Sequence, residues 1–350
     1  MAYTTINKST DHFNTKLYTG NGSTNAQTGV GFQPDWLWVK CRSDANGSQL
    51  FDVLRTTYSL STNATDAQAN RASDGFTSLD SDGFTMNGSG SGGSTNVSGR
   101  TYVGWNWKAG GGQGSSNTDG SINTTYTSVN TTAGFSISKY TGTGNAGTVG
   151  HGLGVAPKVI IIKNISQDTD WVFGHQELDA SAPWTKYLEL NSTVAVLDNT
   201  VFNDTAPTNS VFSVGGDGKV SSGAGSHVAY CFAEKPGYSK FGSYSGNSDA
   251  NGPFVYTGFS PSFVMTKRTD STSDWLICDN KRPGYNVINK KLFPNTSGTE
   301  DSYDSFDFVS NGFKIRSSGT GHNANGGTFI YMAFAEAPLV GSNNIPCTAR

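Results

Sequence analysis

Short apolar runs separated by polar, glycine-rich turns repeat along the whole chain. The segment "GFSISKY" alternates, with Phe135 and Ile137 on one face and serines on the other, which predicts a half-buried strand. The runs "WLWVK" and "VIIIK" are apolar at every position before the lysine, which predicts strands covered on both faces. Helical periodicity is nearly absent, and residues 65–73, "TDAQANRAS", predict one or two turns at most. The pattern therefore favours an all-β fold.

One marker, a glycine and a proline ahead of an apolar run that ends in lysine, occurs three times. It reads "GFQPDWLWVK" at 31–40, "GVAPKVIIIK" at 154–163 and "GFSPSFVMTK" at 258–267. A Tyr-turn element precedes each copy ("LYTGNGS", "KYTGTGN", "SYSGNSD"), and an aromatic strand closes it ("TYVGWNWKAG", "SHVAYCFAEKPG", "TFIYMAFAEAP"). The marker proline and the closing strand are separated by 69, 71 and 69 residues, from Pro34 to Val103, Pro157 to Val228 and Pro261 to Ile330.

This repetition predicts three tandem antiparallel β-sandwich modules, each about 95 residues long and related by internal duplication. The predicted boundaries are an N-terminal arm at 1–16, a first module at 17–110, a linker at 111–133, modules at 134–238 and 239–338, and a C-terminal arm at 339–350. The linker is rich in Gly, Ser, Thr and Asn, so we expect it to be flexible and the first module to sit apart. We also expect one arm to dock onto a neighbouring subunit.

Two features of the predicted strands have alternative interpretations. The lysines that end the marker strands, Lys40, Lys163 and Lys267, are interpreted as gatekeepers that blunt a strand, in preference to a ligand role. Tryptophans two apart share one face of a strand, and such pairs occur both in sugar-binding platforms and in cores. We favour core packing for both pairs, which are Trp36 with Trp38 and Trp105 with Trp107.

Composition and charge narrow the function classes. Only 15% of the 350 residues are charged and the net charge is −3, so nucleic acid is not an expected partner. The start, "MAYTTINKSTDHFNTK", predicts no signal peptide, and no apolar segment reaches the roughly 20 residues that cross a bilayer. Cys41, Cys231 and Cys278 lie in or beside apolar runs, where we expect free thiols acting as small hydrophobes in a reducing compartment.

The sequence shows no catalytic constellation, and we predict no enzyme, no cofactor and no metal. His175, Glu177 and Asp179 in "GHQELDAS" are interpreted as a polar turn on the surface, in preference to a weak metal or acid–base site. Asp80 and Asp82 in "LDSDGF" lack the remaining carboxylates of a calcium loop, and "SDG" is ordinary hairpin chemistry. A pair of carboxylates distant in sequence stays open as a glycosidase site.

Two aromatic residues in predicted loops are candidates for contact with a partner. Trp184 in "SAPWTKY" and Tyr285 in "RPGYNV" each lie near a proline and a cation, outside the strand framework. Exposed Trp and Tyr are typical anchors at interfaces. We therefore predict that Trp184 and Tyr285 belong to a contact surface.

Several long motifs carry a family resemblance. "YTGNG", "TDW", "CFAE", "GYSKFGSY", "GPFVYTGF", "SNGFKIRSSGT" and "IYMAFAEAP", with the opening "INKSTDHFNTKLYTGNGS" and the tail "NNIPCTAR", resemble a family of virion structural proteins of marine tailed bacteriophages. The resemblance covers essentially the whole chain. It implies a tail-fibre-like or otherwise unassigned virion protein, assembled in the cytoplasm of the bacterial host, and it brings no catalytic motif.

We consider three alternative functions for a protein in this setting. The first is a non-enzymatic tail fibre or adhesin that contacts a host surface glycan, with other virion proteins as partners. We expect a homo-oligomer, with a trimer favoured because phage fibres are commonly trimeric. The second is a capsid decoration protein, a cement protein or head fibre that binds capsomers. The third, which we disfavour, is a virion-borne glycan hydrolase.

Overall fold

The protein is all-β, as the sequence predicts. The computed structural model describes residues 4–88 and 95–338. Its only helices within those residues are single turns: 3-10 turns at Ser9–Asp11, Pro183–Thr185 and Thr200–Phe202, and α-helices α1 (Gly218–Ser221) and α2 (Thr320–Asn323). The helical turn predicted at 65–73 is wrong, because Ala69 and Asn70 pair with the neighbouring strand instead.

Sheet 1 is antiparallel and contains six strands in the order β1-β9-β3-β4-β5-β6. A three-stranded sheet, β2-β8-β7, packs on one of its faces. The strands are β1 (Phe13–Thr19), β2 (Asn25–Gln27), β3 (Trp36–Cys41), β4 (Gln49–Asp52), β5 (Tyr58–Ser61), β6 (Ala69–Asn70), β7 (Ser78–Asp80), β8 (Gly83–Met86) and β9 (Thr101–Trp107).

Sheet 2 has seven antiparallel strands in the order β10-β11-β18-β13-β14-β15-β16, with the two-stranded sheet β12-β17 packed on it. The strands are β10 (Thr124–Asn130), β11 (Phe135–Thr141), β12 (Gly147–Gly150), β13 (Val159–Asn164), β14 (Val172–His175), β15 (Lys186–Glu189), β16 (Leu197–Asp198), β17 (Val211–Val214) and β18 (Ser226–Phe232). Sheets 1 and 2 therefore have the predicted sandwich character.

Sheet 3 is a single eight-stranded antiparallel sheet, in the order β19-β26-β21-β22-β23-β24-β25-β20, that curls into a near-barrel. The strands are β19 (Ser239–Ser245), β20 (Phe254–Tyr256), β21 (Phe259–Arg268), β22 (Leu276–Asp279), β23 (Ile288–Leu292), β24 (Asp301–Val309), β25 (Gly312–Ile315) and β26 (Thr328–Pro338). Here one curled sheet takes the place of two stacked sheets.

Each of the three marker strands is covered on both faces. One face packs in the core of its own sheet, and the other packs in a core common to all three sheets, which we call the shared core. In β3, Trp36 and Trp38 face the shared core, while Leu37 and Val39 face the core of sheet 1 alone. The shared core also contains Val159 and Ile161 from β13, and Phe263 and Met265 from β21. The tryptophan pairs predicted to be core residues, Trp36 with Trp38 and Trp105 with Trp107, are all buried in it.

Aromatic contacts in the shared core connect all three sheets. The ring of Trp36 lies 5.1 Å from that of Tyr230 in sheet 2. Phe13 of sheet 1 lies 5.6 Å from Phe263 of sheet 3, and Phe232 of sheet 2 lies 6.0 Å from Phe334 of sheet 3. Every sheet thus contacts the other two, and the three sheets form a closed ring around one apolar centre.

The gatekeeper interpretation of the marker lysines is wrong, because β3, β13 and β21 are interior strands and the lysines are buried. Each ammonium group donates to a backbone carbonyl of the adjacent sheet. The bonds run from Lys40 to Thr296 O (2.6 Å), from Lys163 to Thr65 O (2.9 Å) and from Lys267 to Thr193 O (3.2 Å). Burial lowers the pKa of each lysine to about 8.

Backbone hydrogen bonds accompany each lysine and close the ring. The N–H groups of Gln68, Val196 and Glu300 each donate to a carbonyl two residues beyond a marker lysine in the next sheet. The acceptors are the carbonyls of Ile165, Thr269 and Arg42, at 3.2, 2.9 and 2.9 Å. We call these three places, each with its lysine, the joints.

The structure corrects the predicted linker and N-terminal arm. Residues 111–133 are not a flexible linker throughout, because Thr124–Asn130 forms β10 and pairs with β11. The first module does not sit apart, since its aromatic residues fill the shared core. Residues 1–16 are not wholly an arm either: Ile6 is buried in the shared core and β1 begins at Phe13. The predicted C-terminal arm, 339–350, lies outside the described residues.

Candidate functional site

An open cleft of about 420 Å³ lies on sheet 3, where the loop between β22 and β23 meets the ends of β21 and β26. We call it the Tyr285 cleft. Polar, charged, apolar and aromatic groups all line it. Its residues are Ser260, Pro261, Asn280, Lys281, Gly284, Tyr285, Asn286, Ile288, Phe308 and Glu336.

The near end of the cleft loop is fixed by Asp279, a buried residue at the end of β22. One carboxylate oxygen of Asp279 accepts hydrogen bonds from the backbone N–H groups of Lys281 and Arg282, both at 3.0 Å. The other oxygen accepts from Arg282 Nε at 2.7 Å and from Trp105 Nε1 at 2.9 Å. Because Trp105 belongs to sheet 1, the loop is anchored to the centre of the ring.

The far end of the loop is fixed by Asn286. Its side-chain amide donates to the carbonyl of Phe308 at 2.7 Å and accepts from the N–H of Phe308 at 2.9 Å. This two-bond pairing holds the loop against β24 as a neighbouring strand would. Both ends of the loop are therefore ordered on the sheet, and the part between them projects into solvent.

Tyr285 occupies that projecting part, and its side chain is 86% exposed. Gly284 precedes it with φ +80°, a left-handed conformation that favours glycine. Across the cleft, Lys281 Nζ lies 3.6 Å from Glu336 Oε1, and both side chains are almost half exposed. An exposed ring thus stands beside an ion pair that remains open to water.

This combination of groups suits a ligand with both apolar and hydroxyl-bearing faces. A tyrosine ring offers a flat apolar surface with a polar tip at low conformational cost. Asparagine, lysine and glutamate side chains supply donors and acceptors that fix the orientation of hydroxyl groups. A sugar ring is one ligand that presents both kinds of surface.

The structure separates the two residues predicted for the contact surface. Tyr285 is exposed, as a contact residue must be, but its role in contact stays a prediction. The prediction for Trp184 is wrong, because its side chain is only 6% exposed. Its ring packs edge-on against Phe202 at 5.2 Å in the core of sheet 2. A neighbouring proline and cation, the sequence signal used to select Trp184, therefore occur in a turn that covers a core as well as in an exposed loop.

The other candidates examined in the sequence have structural roles. The interpretation of His175 as part of a surface turn is wrong, because it is the buried last residue of β14: its Nδ1 accepts from Glu177 N at 3.1 Å, and its Nε2 lies 3.2 Å from Tyr331 O in sheet 3. Asp82 accepts from the N–H groups of Gly29 and Gly31, and Asp80 accepts from the hydroxyl groups of Ser78 and Thr85 in the β7–β8 hairpin.

Three further observations concern metals, thiols and membranes. Over residues 4–88 and 95–338, no three His, Cys, Asp or Glu side chains are placed to hold a metal ion. The thiols of Cys41, Cys231 and Cys278 are free and buried, as predicted. None of the helices in the same described ranges has the length and apolar character required to cross a membrane.

Sequence reasoning misses three other exposed aromatic residues of sheet 3. Phe254 is 48% exposed, Tyr256 is 60% exposed and Tyr303 is 45% exposed. The exposure of Phe254 and Tyr256 was predictable from the alternation in "PFVY", which places these two residues on one face of the strand and Val255 on the other. Among the described residues, most of the large exposed apolar side chains thus lie on sheet 3.

Comparison with known proteins places the chain in a family without a known role. Residues 8–338 match the family described as "Domain of unknown function (DUF7483)", and the chain belongs to that family. No curated protein and no solved structure matches the chain.

Proposed function

We propose that this protein is a non-enzymatic structural protein of a bacteriophage virion, a tail fibre or adhesin that contacts a glycan on the host surface through the Tyr285 cleft. The observation that carries the proposal is the 86% exposed ring of Tyr285 beside the polar groups of an open cleft on an ordered loop. The resemblance of the sequence motifs supplies the virion setting. Assembly in the cytoplasm of the bacterial host belongs to the same proposal.

Glycan binding is tested with an array of bacterial envelope polysaccharides, followed by calorimetric titration of any that bind. We expect Tyr285→Ala to weaken the affinity about ten-fold, which is the scale of one lost aromatic contact. Tyr58→Ala is the control, since Tyr58 is a 37% exposed tyrosine on sheet 1. No binding by the wild type at millimolar ligand would reject the adhesin.

The second candidate is a capsid decoration protein, either a cement protein or a head fibre. Exposed aromatic residues concentrated on one sheet also suit contact with another protein. Purified capsids that bind the protein, in the absence of any glycan binding, would favour this candidate over the first.

The third candidate, a glycan hydrolase, has less support. Hydrolysis requires two carboxylates that face the same bond. Among the residues that line the Tyr285 cleft, Glu336 supplies a carboxylate, and it is paired with Lys281. Shortening of a host polysaccharide by the wild type, abolished by Glu336→Gln, would establish an enzyme against our proposal.

We infer further that the three sheets derive from one unit copied twice. In support, each marker lysine lies opposite the corresponding apolar residue of the closing strand. The pairs are Lys40 with Val103, Lys163 with Val228 and Lys267 with Ile330. Each lysine also bonds to the sheet next to its own, in a cyclic order.

Self-association also belongs to the proposal, with a trimer favoured. A monomer is the alternative, because one chain already arranges three similar sheets in a closed ring. Light scattering on the purified protein distinguishes the two: a mass of about 111 kDa, three times 37.0 kDa, supports the trimer. A mass near 37 kDa at every concentration contradicts it.

A further inference from the structure

A second cleft, of about 330 Å³, lies between β19 and β20, the two ends of the curled sheet 3. We call it the edge cleft. Its residues are Glu234, Pro236, Ser239, Lys240, Tyr256 and Thr257. It lies where the near-barrel of sheet 3 fails to close.

Sheet 2 has the corresponding gap, and the chain itself fills it. β11 and β12 hold the places of β19 and β20, because β11 pairs with the closing strand β18 and β12 pairs with β17. β10 pairs along β11, and Ile122 bridges to Val149 of β12. Gly152, just beyond β12, packs against the side chains of Thr127 and Val129 on β10. Residues 115–130 thus occupy the space between the two strands.

Sheet 1 closes its gap by direct contact. The amide of Asn14 on β1 donates to the carbonyl of Val30, just beyond β2, at 2.9 Å. Sheet 3 therefore differs from both other sheets, since its gap is an open cleft.

The β20 side of the edge cleft is open to a further strand. β20 pairs with β25 and lies at the end of the sheet as the structure describes it. Pro253 and Thr257 bond to β25, so the alternation of an antiparallel pair turns the backbone groups of Phe254 and Tyr256 outward. Unpaired backbone groups beside exposed aromatic side chains are a template for strand addition.

The β19 side of the edge cleft is already capped. The N–H of Phe241 donates to Glu234 Oε1 at 2.9 Å, and its carbonyl accepts from Gln176 Nε2 at 2.6 Å. Lys240 Nζ lies 3.1 Å from Glu234 Oε2, so these two charges balance each other. An incoming strand would therefore pair with β20, and the neutral cleft favours an uncharged strand.

We propose that the outer edge of β20 binds an extended, uncharged, Ser/Thr-rich peptide segment supplied by another subunit. That strand pairs with Phe254–Tyr256 and fills the edge cleft as residues 122–130 fill the gap of sheet 2, where Ile122 bridges to Val149 of β12 and β10 pairs with β11. The residues that fill the gap of sheet 2, from Ile122 on β12 to "TTYTSVN" of β10 on β11, show the chemistry that this fold accepts in such a gap: no charge, and apolar side chains between threonines and serines. The proposal is independent of glycan binding.

The probe is a synthetic peptide of residues 122–131, "INTTYTSVNT", added to the full chain at up to 1 mM. We expect amide hydrogen exchange at Phe254 and Tyr256 to slow by about ten-fold or more, because strand pairing protects exposed amides. A peptide with proline at the position of Thr127 lacks a strand N–H and should give no protection. Tyr256→Lys should weaken binding about ten-fold, and Tyr58→Lys should not change it.

Three outcomes would overturn the proposal. The first is no protection of residues 254–256 at 1 mM peptide. The second is protection confined to the β11 edge, which would mean that the peptide only exchanges with β10. The third is stronger binding by a peptide of residues 339–350, "LVGSNNIPCTAR", which would assign the cleft to this chain's own end.

Discussion

At the scale of single residues, buried polar groups connect the three sheets. Lys163 Nζ lies 2.9 Å from Thr65 O and 2.9 Å from Asn164 O, with its side chain fully buried. Burial of an ammonium group is costly unless its donors are satisfied, and here backbone carbonyls satisfy them. At the joint between sheets 1 and 2, Lys163 thus adds a cation bonded to carbonyls to the backbone bond from Gln68 N to Ile165 O.

Replacing Lys163 by methionine should lower the free energy of unfolding by about 2–4 kcal/mol, because it leaves buried carbonyls without a donor. The measurement is urea-induced unfolding followed by tryptophan fluorescence. Lys139→Met is the control, since Lys139 is a half-buried lysine on β11. A change below about 0.5 kcal/mol for Lys163→Met would show that the joint does not need the cation.

His175 should make the protein sensitive to acid. Burial lowers the pKa of His175 to about 3, against 6.5 for an ordinary histidine. Between these values the unfolded chain binds a proton that the folded chain does not. The contribution of His175 to the free energy of unfolding is therefore complete above pH 6.5. Below that pH it decreases by about 1.4 kcal/mol per pH unit as the pH falls towards 3.

The variant His175→Gln removes the pH-dependent contribution of His175 to stability. Glutamine keeps a side-chain N–H for Tyr331 O and does not titrate. The stability difference between wild type and variant should shift against the wild type as the pH falls from 6.5 to 4. A difference that is constant over this range would contradict a neutral, buried His175.

At the scale of elements, the loop of the Tyr285 cleft is held at both ends and exposed in the middle. Asp279 fixes one end through Lys281 N and Arg282 N, and Asn286 fixes the other through the backbone of Phe308. Order at the ends limits the conformations that Tyr285 samples, which reduces the entropy lost when a ligand binds.

Replacing Asn286 by alanine should release the far end of the loop. The N–H of Phe308 loses its acceptor, so its hydrogen exchange should become about ten-fold faster, while global stability falls by only about 1 kcal/mol. Comparison with Asn295→Ala, which removes an amide bonded to Trp275 N at the opposite end of β22, distinguishes loop loosening from general destabilisation. Unchanged exchange at Phe308 would show that Asn286 does not hold the loop.

The elements also show which parts of the structure the sequence can predict. Alternation and both-face apolar runs identified the marker strands and the buried tryptophans, because those patterns follow from local periodicity. The role of Lys40, Lys163 and Lys267 was missed, because their acceptors lie in other sheets and no local pattern reports them. The prediction that Trp184 is exposed was wrong for a similar reason. Its 3-10 turn, beside Phe202, covers a core that is assembled from distant strands.

At the scale of the whole molecule, the three sheets depend on one core. Trp36 contacts Tyr230 and Phe232 of sheet 2, while Trp107 contacts Phe334 of sheet 3. A sheet removed from the ring would expose its share of these rings to water. The protein should therefore behave as one cooperative unit rather than as three independent modules.

Calorimetry tests this cooperativity. We expect a single thermal transition in the wild type, and in Trp36→Ala a single transition at lower temperature, because a large core truncation costs about 3–5 kcal/mol. Two or three resolved transitions, with only one moved by Trp36→Ala, would show that the sheets unfold separately.

The most direct test of the proposed function is a crystal structure of the protein with a fragment of a host envelope glycan. We expect a sugar ring stacked on Tyr285, within about 4 Å of its face, with hydroxyl groups bonded to side chains of the Tyr285 cleft. A glycan bound elsewhere on the ring of sheets, or no glycan bound at saturating concentration, would contradict it.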